Sequence, residues 1–234
     1  EVLEHIFSSK AQEFDSVLKD DTVLLFGPGG NAIRTRTANQ QQLADAVQKH
    51  ALVFAVGPAG TGKTYTAVAL AVQALKRKSI KRIILTRPAV EAGENLGFLP
   101  GDLKEKLDPY MQPLYDALAD MIPPEKLKFY IENRTVQIAP LAFMRGRTLV
   151  HAFVILDEAQ NCTLEQIKMF ITRMGEHSKV IINGDTKQTD LYHSGLYECL
   201  RKLDGVDGVG ICSLGYNDIQ RNGIIGRILN ALES

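Results

Sequence analysis

The chain of 234 residues carries no net charge, with 27 Lys+Arg against 27 Asp+Glu, which excludes a protein that holds nucleic acid by sheer basicity. A local basic surface is still allowed. Cysteine is scarce: Cys162, Cys199 and Cys212 are odd in number and contain no C-x-x-C pair, so no disulfide framework is expected and a reducing compartment is. No apolar run approaches the ~18 residues of a membrane span. The opening EVLEHIFSSK also lacks the charged-then-apolar layout of a signal peptide, so the expectation is a cytoplasmic chain with no membrane partner. The five histidines show no metal-ligand spacing. Internal repeats and low-complexity tracts are missing too.

The 45% hydrophobic and 23% charged content fits an ordinary globular protein with room for a sizeable core. Short β-branched runs alternate with amphipathic stretches, the pattern of a parallel α/β sheet. The expected strands are Leu52–Val56, Arg82–Thr86, Phe153–Leu156, Val180–Asn183 and Val209–Ser213. Thr64–Leu75 and Thr163–Met174 repeat apolar residues at helical spacing. The reading is a three-layer α/β/α domain over residues 37–234. Residues 1–36 form a short N-terminal segment with a β-hairpin turning at Pro28, Gly29 and Gly30, and the proline-rich stretch 88–133 is an irregular insertion.

The sharpest motif is Gly57-Pro58-Ala59-Gly60-Thr61-Gly62-Lys63-Thr64, followed by Tyr65. It is a complete G-x-x-x-x-G-K-[ST] lying directly after an apolar strand and directly before a helix. The glycines let backbone N–H groups wrap phosphates, the helix N-terminus adds partial positive charge, Lys63 reaches the β- and γ-phosphates, and the Thr64 hydroxyl ligates Mg²⁺. ATP with Mg²⁺ is the expected ligand. A second apolar strand ends in Asp157-Glu158, where Asp157 would hold the metal and Glu158 would polarise the attacking water. The run continues Ala159-Gln160-Asn161, more than a plain phosphotransferase needs. A third strand ends in Asn183-Gly184-Asp185 with Gln188 three residues on, polar groups suited to lie beside the γ-phosphate and sense its loss.

In order along residues 37–230, the sequence runs Thr37-Ala38-Asn39-Gln40, GPAGTGKTYTA (57–67), TRPAVEAGENLGFLPGD (86–102), APLAFMRGRTL (139–149), ILDEAQN (155–161), TRMGEHSKVIINGDTKQTDL (172–191) and SGL (194–196). On these stretches it resembles the PhoH family of phosphate-starvation-associated P-loop ATPases, relatives of superfamily 1 helicase cores. The resemblance implies a RecA-like fold, Gln40 in the adenine-sensing position of the Q motif, and an association with nucleic acid, RNA more than DNA. Three positions depart from the family pattern. Asp218-Ile219-Gln220-Arg221-Asn222 ends in Asn where the family has His, Tyr192 replaces a Pro, and Cys162 replaces a small hydroxyl residue.

Fast hydrolysis needs a cation delivered to the transition state. Superfamily 1 helicases take it from a second RecA-like domain, for which this chain has no room. The expectation is head-to-tail assembly, closing as a ring such as a hexamer, with Arg221 reaching a neighbour's ATP and Arg145 and Arg147 in reserve. Arg87, at the carboxyl end of its strand, and Arg145 and Arg147 around Gly146 are the candidate nucleic-acid contacts, phosphate-directed and salt-sensitive. A small-molecule phosphotransferase and a nucleotide-gated assembly module are the competing readings.

Overall fold

A computed structural model of the chain describes residues 21–88, 103–186, 194–220 and 228. Its centre is a six-stranded, all-parallel sheet built from β3 (Leu52–Val56), β4 (Arg82–Arg87), β5 (Val136–Pro140), β6 (Ala152–Leu156), β7 (Lys179–Gly184) and β8 (Val209–Ser213). The order across the sheet is β5-β4-β6-β7-β3-β8. Strands β3 and β6 are buried at every position, the continuous apolar run required of a strand covered on both faces. Alternation along each strand feeds two cores. Val53, Ala55, Ile83, Leu85 and Ile155 enter one, while Phe54, Val56, Ile84, Val154 and Leu156 enter the other.

Helices α1 (Ala38–Lys49), α2 (Lys63–Lys76), α3 (Leu103–Ala119) and α4 (Pro124–Glu132) bury their apolar stripes in the first core. Helices α5 (Leu164–Ile171) and α6 (Gly195–Leu203) cover the other face. The expected three-layer RecA-like arrangement is what forms: the strand leading to the P-loop and the strand ending in Asp157 are separated by one strand, β7. Three of the helices begin on side-chain caps, α6 on Ser194, which accepts from the N–H of Leu196. Thr37 accepts from the N–H of Gln40 at the start of α1, and Thr163 forms a capping box with Gln166 at the start of α5.

Strand β5 and helices α1, α3, α4 and α6 go beyond the elements legible in the sequence pattern. Within the proline-rich stretch, Pro124 occupies the first turn of α4, where its missing N–H costs nothing. Pro109 and Pro113 lie inside α3, which is held by burying Met111, Leu114 and Leu118. The N-terminal hairpin, β1 (Val23–Phe26) with β2 (Ala32–Arg34), is antiparallel and docks on α2. Leu24, Leu25 and Ile33 share the first core, and Lys76 Nζ donates to the Phe26 carbonyl at 2.7 Å. Among the described residues no helix is long and apolar enough to cross a membrane.

Candidate functional site

Parallel strands place all their carboxyl ends on one side of the sheet, and the candidate residues gather there. The loop between β3 and α2 depends on its glycines. Gly60 and Gly62 sit at φ +82° and +83°, a left-handed conformation that L side chains resist. A Cβ on Gly62 would come within 2.6 Å of Gln40 Nε2, and one on Gly57 would collide with the Leu214 carbonyl. Such a loop, opening onto the N-terminus of a 14-residue helix, is a cradle for phosphate. Lys63 Nζ stands at its mouth, donating to the carbonyls of Gly57 (2.5 Å) and Pro58 (2.8 Å). Burial pulls its pKa below the ordinary lysine value, against the opposing pull of Asp185, Glu158 and Asp157.

Asp157, 2% exposed, is the hub of the acidic side. Its Oδ1 accepts from Thr64 Oγ1 at 2.6 Å and from Asn183 Nδ2 at 3.3 Å. Its Oδ2 accepts from Arg87 Nε at 2.9 Å and Nη2 at 2.6 Å. Arg87 Nη1 also donates to the Tyr110 carbonyl at 2.8 Å, tying α3 to the site. Glu158 follows at φ 56°, ψ 39°, a left-handed backbone costly for a non-glycine residue and typical of functional positions. Burial and the neighbouring Asp157 push its carboxyl pKa up, outweighing Gln160, Arg87 and Lys63. Gln160 bridges two acids, its Nε2 donating to Glu158 Oε2 at 2.6 Å and its Oε1 accepting from the Asp185 N–H at 3.1 Å.

Ala59, Gly60, Gly62, Lys63, Thr64, Tyr65, Asp157, Glu158 and Asp185 line one cavity of about 510 Å³. Pro58 and Thr61 shape the loop itself, the Thr61 hydroxyl donating to the Pro58 carbonyl. Gln40 lies behind the loop. Its Nε2 donates to the Thr61 carbonyl (2.9 Å) and its Oε1 accepts from the Arg36 N–H (2.8 Å), so it braces the P-loop. An adjoining cavity of about 250 Å³ is lined by Leu24, Ile33, Arg36, Gln40, Tyr65 and others.

Arg87, expected at a nucleic-acid surface, lines the cavity of about 510 Å³ with its side chain 13% exposed. Arg145 is exposed on the loop after β5, and Arg147 donates to Gln137 Oε1 at 2.7 Å; neither lines that cavity. Gln188 and Arg221 fall outside the described residues, as do Tyr192 and Asn222. Two further contributors were named in sequence only as members of a motif, and two were not named at all. Gln160 stands within the acidic motif, Asn183 ends its strand, and Asp116 and Asp120 reach the cavity or its rim from α3 and the turn after it. Only the first two carried a signal, being polar residues where apolar strands stop.

Two hard oxygens, Thr64 Oγ1 and Asp157 Oδ1, lie side by side. They suit a Mg²⁺ ion that takes one or two protein ligands and leaves its remaining positions to phosphate and water. Fold and site together define a P-loop nucleoside triphosphatase. The chain belongs to the PhoH family: the model for "PhoH-like protein" matches residues 32–233. It is 50% identical over 232 residues to a PhoH-like protein of Synechocystis sp., covering 98% of this chain and 70% of that one. It is 53% identical over 207 residues to a PhoH-like protein of Bacillus subtilis, covering 87% of this chain and 65% of that one. The chain thus spans about two thirds of the length of these relatives. Among solved structures, the large terminase of a thermophilic bacteriophage is similar at 12% identity and TM-score 0.48, covering 83% of this chain and 49% of the terminase.

Proposed function

We propose that this protein hydrolyses ATP with Mg²⁺ and couples the cycle to binding or remodelling a nucleic-acid strand, RNA foremost. The observation that carries the reading is the convergence of Lys63, Thr64, Asp157 and Glu158 on one cavity large enough for a nucleotide. The P-loop amides and Lys63 hold the β- and γ-phosphates, and the base enters the adjoining cavity against Tyr65, Leu24 and Ile33. Thr64 and Asp157 would hold Mg²⁺, which would supply neutralisation of charge on the phosphates. Glu158 accepts the proton of a water that attacks the γ-phosphorus in line, as the bond from that phosphorus to the β–γ bridging oxygen breaks and its electron pair leaves with ADP. The raised pKa of Glu158 makes it a better base than an ordinary carboxylate. Gln160 fixes the carboxylate through Oε2, and Oε1 lies 3.7 Å from Arg87 Nη2.

Glu158 beside Asp157 favours water as the acceptor over a small-molecule hydroxyl. Head-to-tail association with Arg221 in a neighbour's site belongs to the same proposal, and Arg87 offers a cation within the chain. The test is ATP turnover with and without single-stranded RNA or DNA, alongside sizing by light scattering with an ATP analogue. Stimulation by RNA and a Lys63→Ala variant that binds no ATP support the reading. ATP consumed only with a phosphorylated small-molecule product would replace it with the phosphotransferase. Slow turnover indifferent to nucleic acid, with ATP-dependent oligomer size, would favour the assembly module.

A further inference from the structure

Strand β5 forms one edge of the sheet, and its first residues gather an unusual set of cations. Ile83 on β4 is registered with Val136 on β5, so Arg82 lies beside Thr135, next to Arg134. Arg147 returns from the loop after β5 and reaches Gln137. Arg82, Asn133, Arg134, Thr135, Gln137 and Arg147 enclose an open cavity of about 370 Å³. Among the described residues no acid lines it, and none of the three arginines forms an ion pair. Nor do the guanidinium groups of Arg82 and Arg134 hydrogen-bond to any described residue. Burial, followed by repulsion from Arg82 and Arg134, draws the Arg147 pKa down. Three like charges thus share one cavity without a carboxylate in its lining among the described residues. The remaining lining groups can donate: Asn133 accepts from the Thr135 N–H through Oδ1, which leaves its NH₂ to donate.

Three guanidinium forks around a cavity of this size are matched to tetrahedral, anionic phosphate. The place is not the nucleotide site. Arg82 and Arg87 stand at opposite ends of the six-residue β4, about 16 Å apart at 3.3 Å per residue. From Arg147 the chain leads back through exposed Arg145 to Phe143, a residue 56% exposed beyond the carboxyl end of β5 and an aromatic of the type on which a base stacks. We infer that Arg82, Arg134 and Arg147 bind the phosphodiester backbone of a single-stranded nucleic acid at the outer edge of the sheet, remote from the bound ATP. The inference rests on the nucleic-acid coupling proposed above and gives that coupling a surface, in place of the Arg87 now inside the nucleotide cavity.

The test is fluorescence anisotropy of the full chain with labelled single-stranded RNA and DNA between about 50 and 200 mM salt. With about 0.7 released counterions per phosphate contact, the triple variant Arg82→Gln/Arg134→Gln/Arg147→Gln should flatten the salt dependence by about 2 and weaken binding about 100-fold at the low-salt end. Because Arg147 also holds Gln137, the double variant Arg82→Gln/Arg134→Gln serves as a second measurement. It should lose about two-thirds of that slope, and a melting curve establishes that it folds. Wild-type affinity and slope in both variants would overturn the site, leaving three cations that merely guard a sheet edge, while the nucleic-acid reading stands. A wild-type chain that binds neither RNA nor DNA would overturn both.

Discussion

Replacing Arg87 with Ala separates a nucleotide-site role from a surface role. The guanidinium places two N–H groups on one oxygen of Asp157, at 2.9 and 2.6 Å, and that carboxylate is 2% exposed. Removing one partner of a buried ion pair costs about 3–5 kcal/mol, because the other charge is left without water. Thr64 and Asn183 still donate to Asp157, which reduces the expected cost to about 2–3 kcal/mol. For a domain of this size that is a fall in Tm of roughly 4–12 °C. Mg²⁺ with nucleotide brings a cation to the same carboxylate, so the loss should shrink when both are present, and the Tm rise on adding Mg·ADP should be larger in Arg87→Ala than in wild type. Differential scanning calorimetry with and without Mg·ADP reads this directly. An unchanged Tm without ligand, or the same loss with and without Mg·ADP, would refute the argument that Arg87 serves Asp157.

Glu158→Gln should retain ATP binding while turnover falls about 10²- to 10⁴-fold, read by equilibrium binding beside single-turnover hydrolysis. Glu158 must be deprotonated to act, and its pKa is raised. Turnover should therefore fall with decreasing pH on a limb displaced upward from the ordinary carboxylate range, and a kcat profile without that limb would unseat Glu158 as the base. Gln160→Ala frees Glu158 from its link to Asp185; kcat should drop about tenfold with little change in KM, whereas a rise in KM alone would point to binding. Gly62→Ala combines a φ of +83° with a Cβ 2.6 Å from Gln40 Nε2. It should cost about 1–3 kcal/mol from the backbone alone and abolish binding of a fluorescent ATP analogue, and wild-type binding would show that the loop tolerates a side chain.

The P-loop, the acid pair and the central strands were legible in the sequence because each is a local pattern. Five apolar residues followed by Gly57 to Thr64 already describe a strand, a cradle and a helix start. The buried runs 52–56 and 152–156 likewise read as strands without reference to their neighbours. Strand β5 was not legible, since VQIAP is neither apolar throughout nor cleanly alternating, and its place is fixed by pairing with β4. Helix α3 was hidden by Pro109 and Pro113, whose local penalty is overcome by the core side chains it buries.

Sequence alone thus set the chemistry available: glycines that admit phosphate, a lysine, a hydroxyl and two acids at strand ends. Which charges meet was left to the folded chain. Gln40 became a brace for the P-loop because its two amide ends meet the Thr61 carbonyl and the Arg36 N–H. Arg87 and Arg82 are five residues apart on one strand, yet one neutralises Asp157 while the other joins two arginines from distant segments. No one-dimensional pattern distinguishes them, because the energy of a charge depends on what stands within a few ångströms of it, and strand pairing sets that neighbourhood.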